Sequence, residues 1–493
     1  MTDESILKQH DNLLRDDADV AAIVIREQLR PVQGPRGVFF PPTFAAIGQG
    51  KKSDYHIDRL GPLGGEGNRD PGDPERAQRE GVLANRCTVD SVPAQANRLE
   101  ARLLRYSGKW IPRVTIVGSR VDQGPLDLLE VGHRVADAAV RYTANGGFKQ
   151  FEKALRAYVK GDAAPLARVA PTSLVFGHWD SRDSSTSKAT KSKARRLIRS
   201  EVVAYNVARV TKRSQYWSSI DPEVSEELGE ILAEAKEAAS RDTETKNPAS
   251  QLGMTDVPAP ESPGGVIAFG RIERTSIVAL SGLRALAAFG KPGANDAPGD
   301  PKGATAEPKE PTADPEITLA LRRYLFALAV ASVADCGVWD LREGCILVRN
   351  GTPPEGNLAD NQASLTAILV KHTGEEKPFT MPKNRAAQEY LEAAAKAFFS
   401  DGIPAPVSLT FDPAGARAAV DVQRGGSTGE PTKKGDIIKA LLAFPEWADK
   451  ETDLKKKKKD DLLQLWRSKQ AAAKGNEPVA SEGGGTPTTE GHA

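Results

Sequence analysis

Residues 182–213 carry ten Lys and Arg against Asp183 and Glu201, a net charge of +8 that begins on a polar run, SRDSSTSKATKSK. Cations mounted on a Ser/Thr-rich loop suit a phosphate backbone, because they add charge without demanding a fixed shape. Upstream, Gln95, Arg98, Arg102 and Arg105 recur at spacings of three, four and three, one stripe of a helix. The neighbouring stripe, Ala96, Leu99, Leu103 and Tyr106, can face a core. Ser91 and Pro93 open that helix, and the free N–H groups at its start form a natural phosphate seat. On periodicity alone the same stripe is a solvated face. The stretch PGGVIAFGRIER (263–274) adds the pair Gly264-Gly265 and the cations Arg271 and Arg274. Such a pair either lets backbone approach a ligand or makes a plain turn. The opposite charge is concentrated at 221–245, where nine Asp and Glu face Lys236 and Arg241.

Other chemistries fail on their spacing. No G-x-x-x-x-G-K-[ST] occurs, so there is no P-loop. The glycines of 61–67 do not sit between a strand and a helix, which removes a dinucleotide fingerprint. No G-x-S-x-G elbow is present. The six histidines make no H-E-x-x-H, and His178 stands two residues from Asp180. His133 and His178 read as structural or phosphate-facing. Three cysteines without paired close spacing argue against a disulfide framework and a zinc site. No metal and no cofactor is expected.

These residues must be held by a chain of 493 residues, long enough for roughly three domain-sized units. Its 39% hydrophobic content supports a sizeable core, while 44 Gly and 34 Pro require much loop. The net charge of +1 hides the local blocks. The longest apolar run, 324–334, is shorter than a membrane span, and the charged N-terminus does not read as a secretory signal. A cytoplasmic protein with no membrane partner is expected.

Periodicity predicts helices over 5–29, 94–106, 131–143, 148–159 and 317–334. Strands are expected at 87–90, 113–117, 173–176, 266–269, 277–280, 345–348 and 365–370, with an extended piece at 37–40. In the 148–159 helix, Phe148, Phe151, Leu155 and Tyr158 should pack inward. Residues 48–81 read as a long mobile insert, and 290–315, with six Pro and four Gly, as a disordered one. A break at 424–432 precedes a small helical unit at 433–470 and a tail at 471–493 with no reason to fold. Irregular mixing of short strands and helices indicates an α+β fold.

Several stretches together resemble one family: LRPVQGPRGVFFPPTFAAIG (29–48), CTVDSVPAQANRLEARL (87–103), WIPRVTIV (110–117), HRVADA (133–138), PTSLVFGHWDSR (171–182), ARRLIRSEVVA (194–204), SQLGM (250–254), GGVIAFGRIER (264–274), LRRYLFALAVAS (321–332) and LREGCIL (341–347). The chain resembles the Cascade backbone subunit of type I-U (I-G) CRISPR systems, the Cas-seven branch of the RAMP superfamily, over roughly residues 20–350. The resemblance implies a ferredoxin-like (RRM-like) palm with inserted finger and thumb elements, filling 1–423 and followed by the small helical unit. It further implies copies stacked head to tail along a CRISPR RNA, an interface that does not close on itself. The implied partners are CRISPR RNA, target DNA, a large subunit, an RNA-end-capping and processing subunit, and a recruited nuclease-helicase. RNA contact carries over to Ser91, Gln95, Asn97, Arg98, Lys188, Lys191, Lys193, Arg195, Arg196 and Arg199. Low aromatic content disfavours a reader that stacks every base.

The role expected is a non-catalytic scaffold. The alternatives are a RAMP endoribonuclease using His133 or His178 as acid or base, and a target-cleaving backbone subunit using an aspartate among Asp54, Asp58, Asp70 and Asp73. Outside the resemblance, the 433–470 unit is similar to helix–extended loop–helix DNA-binding modules of the SAP kind, with a solvated helix hairpin as the equal alternative. Its lysines, Lys455, Lys456, Lys457, Lys458 and Lys459, are candidate DNA contacts, placed where the second helix should begin and so opposing its dipole.

Overall fold

The computed structural model describes residues 3–45, 53–60, 75, 79, 83–121, 123–180, 192–212, 215–216, 219–241, 252, 254, 257–258, 262–290, 312–334, 339–350, 365–426, 434–441, 451–462 and 464–465. Contacts divide the chain into a unit ending at Phe411 and a second beginning at Asp412.

Six elements of the first unit form a βαββαβ series: β1 (Val20–Pro31), α1 (Val92–Ala101), β2 (Ile198–Tyr205), β3 (Ile272–Ala279), α2 (Pro315–Ala334) and β4 (Leu365–Lys371). The four strands lie in the order β4-β1-β3-β2, every neighbour antiparallel. That is the ferredoxin-like arrangement, so the α+β class and an RRM-like palm agree with the fold. The sheet extends past β2 through Asn85–Asp90 to Ile57–Arg59, and past β1 through Cys345–Arg349 and Trp339–Arg342.

β1 corrects the helix expected over 5–29. Only Asp3–Lys8 and Asp11–Leu14 are helical there. From Val20 the β-branched residues dominate, and Ile23, Ile25, Glu27 and Leu29 alternate inward. Glu27 disguises that alternation, because a buried charge reads as solvent-facing. It is fully buried between Arg274 of β3, its cross-strand neighbour, and Arg349, whose Nη2 is 3.1 Å away.

α1 begins as expected. Ser91 is its N-cap, with Oγ accepting from the Ala94 amide at 3.4 Å, and a 3-10 turn continues to Tyr106. Ala96, Leu99, Leu103 and Tyr106 are all buried. α2 is mostly apolar and largely buried in the core, with Arg322 and Arg323 paired to Asp16 and Asp11, although its length and composition would also suit a membrane span. The Lys149–Val159 helix buries Phe151 and Leu155, with Phe148 and Tyr158 packed against the same core.

Two further expectations change. Residues 131–143 break into Arg134–Ala136 and Ala138–Arg141, because Arg134 adopts φ 54° and Asp137 caps a new start. Residues 172–175 are a buried helical turn instead of a strand. The insert at 48–81 contributes the short strands Asp54–Tyr55 and Ile57–Arg59. Residues 291–311, the interior of the second insert, and 471–493 lie outside the described residues.

The second unit holds helices Pro413–Gly426, Lys434–Leu441 and Glu451–Lys456. Ile437, Ile438, Leu441, Leu454 and Leu462 form its own small core, joined by Leu465.

Candidate nucleic-acid interface

The basic loop is mounted on a two-stranded hairpin, His178–Asp180 against Ser192–Ala194, paired in the register Trp179 to Lys193. Alternation turns His178 inward. Its Nε2 lies 2.8 Å from Ser192 Oγ and its Nδ1 3.3 Å from the Ser173 carbonyl, while Tyr158 meets the ring edge-on. His178 is therefore a pin between the hairpin and the 172–175 turn, and both ring nitrogens are engaged. The same alternation turns Trp179 and Lys193 outward, with Lys193 Nζ 5.9 Å from the indole centroid.

Past the hairpin, Leu197 and Ile198 are buried and Arg195, Arg196 and Arg199 are exposed. Leu197 fixes this crossing, its amide donating to the Val175 carbonyl and its carbonyl accepting from Ala279. Arg199 has a neighbouring carboxylate, Glu201, at 3.3 Å. Lys188 and Lys191 lie outside the described residues.

Gly177 sits at the base of the hairpin with φ 77°. A Cβ there would lie 2.8 Å from Arg196 Cγ and 2.9 Å from the Ala194 carbonyl oxygen. Only glycine permits that approach. Its carbonyl accepts from Arg134 Nη1 at 3.2 Å. Arg134 also pairs with Glu100 of α1 at 2.8 Å and reaches Asn97 Oδ1 at 3.5 Å. Burial pushes the Glu100 carboxyl up to about 7 against the pull of Arg134. One buried arginine in a left-handed conformation thus ties α1 to the foot of the hairpin. Asn97 and His133 are exposed beside it.

The α1 stripe divides between surface and core. Gln95 is buried, donating to Asp90 Oδ2 at 2.7 Å and accepting from Ser200 Oγ at 3.1 Å; Ser200 meets Ser276 at 2.8 Å. Arg98 donates to Asp90 at 3.0 Å and to the Leu341 carbonyl. Arg342 approaches the other Asp90 oxygen at 3.1 Å. Buried Asp90 is the hub that converts these side chains into internal struts. Gln95 therefore presents no surface for RNA, while Arg98 is half-buried and committed to Asp90. Ser91 is occupied as a cap.

Arg274 is the clearest correction. Its guanidinium is fully buried, paired with Glu27 and set 4.5 Å from the Trp339 centroid. Arg102 lies against the same indole at 4.3 Å. Arg271, three residues earlier, is exposed over the Tyr205 ring at 4.4 Å. The glycine pair belongs to the strand Ser262–Ala268, where Gly265, at φ 104°, leaves no room for a Cβ against Val38. Close backbone approach is real there, and the neighbour is protein.

In the second unit Lys455–Lys459 are all exposed. The helix Glu451–Lys456 ends on Lys455 and Lys456, which complement its dipole, while Lys459 opens the helical stretch 459–462, where positive charge opposes the dipole as expected. Lys434 Nζ donates to the Lys455 carbonyl at 2.9 Å, fastening the run to the preceding helix.

Sequence reasoning missed Trp179 and Arg134. The signal for Trp179 was its place beside His178 in a three-residue strand, since alternation allows only one of them inside. Arg134 carried no such signal, because its partners come from 97–100 and 177.

No curated protein matches the chain at a significant level. Residues 23–209, which run from within β1 through α1, the hairpin and β2 into the strand Val207–Lys212, match the family model described as CRISPR-associated protein GSU0053, and this match supports a CRISPR-associated protein with a role in CRISPR-based defence.

Proposed function

We propose that the chain is a non-catalytic, cytoplasmic backbone subunit of a type I-U (I-G) Cascade-like complex. It binds CRISPR RNA along the Lys193–Arg199 surface, stacks head to tail with its own copies, and presents the guide to target DNA. The observation that carries this reading is the exposed cationic crossing of Lys193, Arg195, Arg196 and Arg199 at one end of an RRM-like sheet. Exposed cations add favourable phosphate contacts that weaken steeply with salt. Within the same reading the exposed lysines 455–459 meet target DNA. A large subunit, an RNA-end-capping and processing subunit and a nuclease-helicase complete the assembly.

Incubating the full chain with labelled CRISPR RNA tests the reading. A ladder of complexes that dissolves as salt rises is expected, with no cleavage of precursor or complementary RNA, with or without divalent metal. A monomer unable to shift the RNA at low salt would defeat it. Cleavage that survives purification would move the chain to the ribonuclease reading.

A further inference from the structure

Trp179 is 69% exposed, beside Lys193 at the start of the exposed cationic run. A tryptophan in that position forgoes the burial that makes the residue stabilising in a core. It is also held firmly. Its neighbour His178 is bonded on both ring nitrogens, and its cross-strand partner Lys193 stands between buried Ser192 and Ala194. The platform therefore exists before any ligand arrives.

The surrounding charges select the occupant. Lys193 lies beside the ring, and Arg195, Arg196 and Arg199 follow on the exposed crossing into β2. Among the described residues no carboxylate forms an ion pair with Lys193, Arg195 or Arg196. An apolar protein surface would leave these cations desolvated and unpaired. A polyanion with flat apolar faces satisfies both the indole and the cations. In a duplex those faces are already stacked on one another, so a single strand is required.

We propose that Trp179 is a nucleobase-stacking site for single-stranded RNA, with Lys193 and the arginines of 195–199 holding the adjacent phosphates. This rests on the reading above that the chain binds guide RNA. The site takes any base, because every base has a π face.

The test compares fluorescent oligouridylate with a base-free ribose-phosphate oligomer of equal length, each bound to the full chain. Trp179→Ala should weaken oligouridylate binding roughly ten-fold and leave the base-free oligomer unchanged, since stacking is worth about 1–3 kcal/mol per base. Trp179→Phe should keep most of the affinity. Replacing Lys193, Arg195 and Arg196 by Gln should weaken both ligands alike. Equal losses on both ligands with Trp179→Ala, or no loss on oligouridylate, would overturn the stacking site while leaving RNA binding in place. If Trp179→Ala binds a short oligouridylate normally but loses the ladder on long RNA, the indole is a contact between copies and the proposal fails. Wild-type chain that binds neither oligomer removes the parent reading as well.

Discussion

Arg274 and Arg196 carry the same guanidinium to opposite ends of the solvent scale. Arg274 faces Glu27 across β1 and β3 and lies against Trp339, and Arg98, Arg134 and Arg342 likewise meet Asp90 or Glu100 inside the fold. Arg196, with Lys193 and Arg195, has no such acid among the described residues and stays in water. Burial of an arginine here follows from where a carboxylate waits in the core, and local periodicity has no access to that. Basic residues thus divide into buried struts and exposed cations according to partners far along the chain.

The largest expected effect separates the two groups by stability. Arg274→Met strips one partner from the buried Glu27 carboxylate and should cost about 3–5 kcal/mol in urea unfolding. The double variant with Glu27→Gln should recover part of that loss. If Arg274→Met unfolds like wild type, the buried group is not structural and the comparison collapses.

A second test uses a half-buried base with one ring nitrogen lacking a hydrogen-bond partner. His10 sits among Phe326, Phe379 and Tyr390, with Nε2 unpartnered, and burial pushes its pKa down to about 4. The unfolded chain takes up a proton below about 6.5, and the folded chain not until about 4. Stability from neutral His10 is therefore present above about 6.5 and lost as pH falls toward 4. Relative to His10→Leu, wild type should lose up to about 3 kcal/mol across that window. Parallel stability curves for the two proteins would show that the ring is solvated.

The exposed group should behave in reverse. Replacing Lys193, Arg195, Arg196 and Arg199 together by Gln should move stability by no more than about 0.5 kcal/mol. The same variant should lower the salt slope of RNA binding by up to about 3, at roughly 0.7 per phosphate contact on a single strand. A lost thermal transition would place these side chains with the struts. The smallest effect is expected from ending the chain at Phe411, which should leave the melting of the first unit and its assembly on RNA unchanged. Only affinity for target DNA should fall. Failure to assemble would show that the second unit is needed for the first.

The parts legible in sequence were those with local causes. Ser91 with Pro93 fixes the start of α1 through capping, and the long apolar run of α2 has no other place than the core. The basic crossing after residue 192 was readable because its charges are closely spaced. β1 was not, since Glu27 interrupts its alternation and its explanation lies at Arg274 and Arg349. The division of Gln95 and Arg98 from Asn97 was hidden for the same reason. Their roles depend on Asp90, Ser200 and Arg342, brought together only when the sheet closes.

β1 has one further property, and it concerns the order of events in time. A single strand receives β3 along one edge and, along the other, first Cys345–Arg349 and then β4. All three partners are synthesised after residue 271. At about 5–20 residues per second, β1 waits roughly 10–50 s on the ribosome with both edges open. An open, β-branched edge is a template for any other nascent strand. The β1 segment is thus where misassembly of the chain should begin.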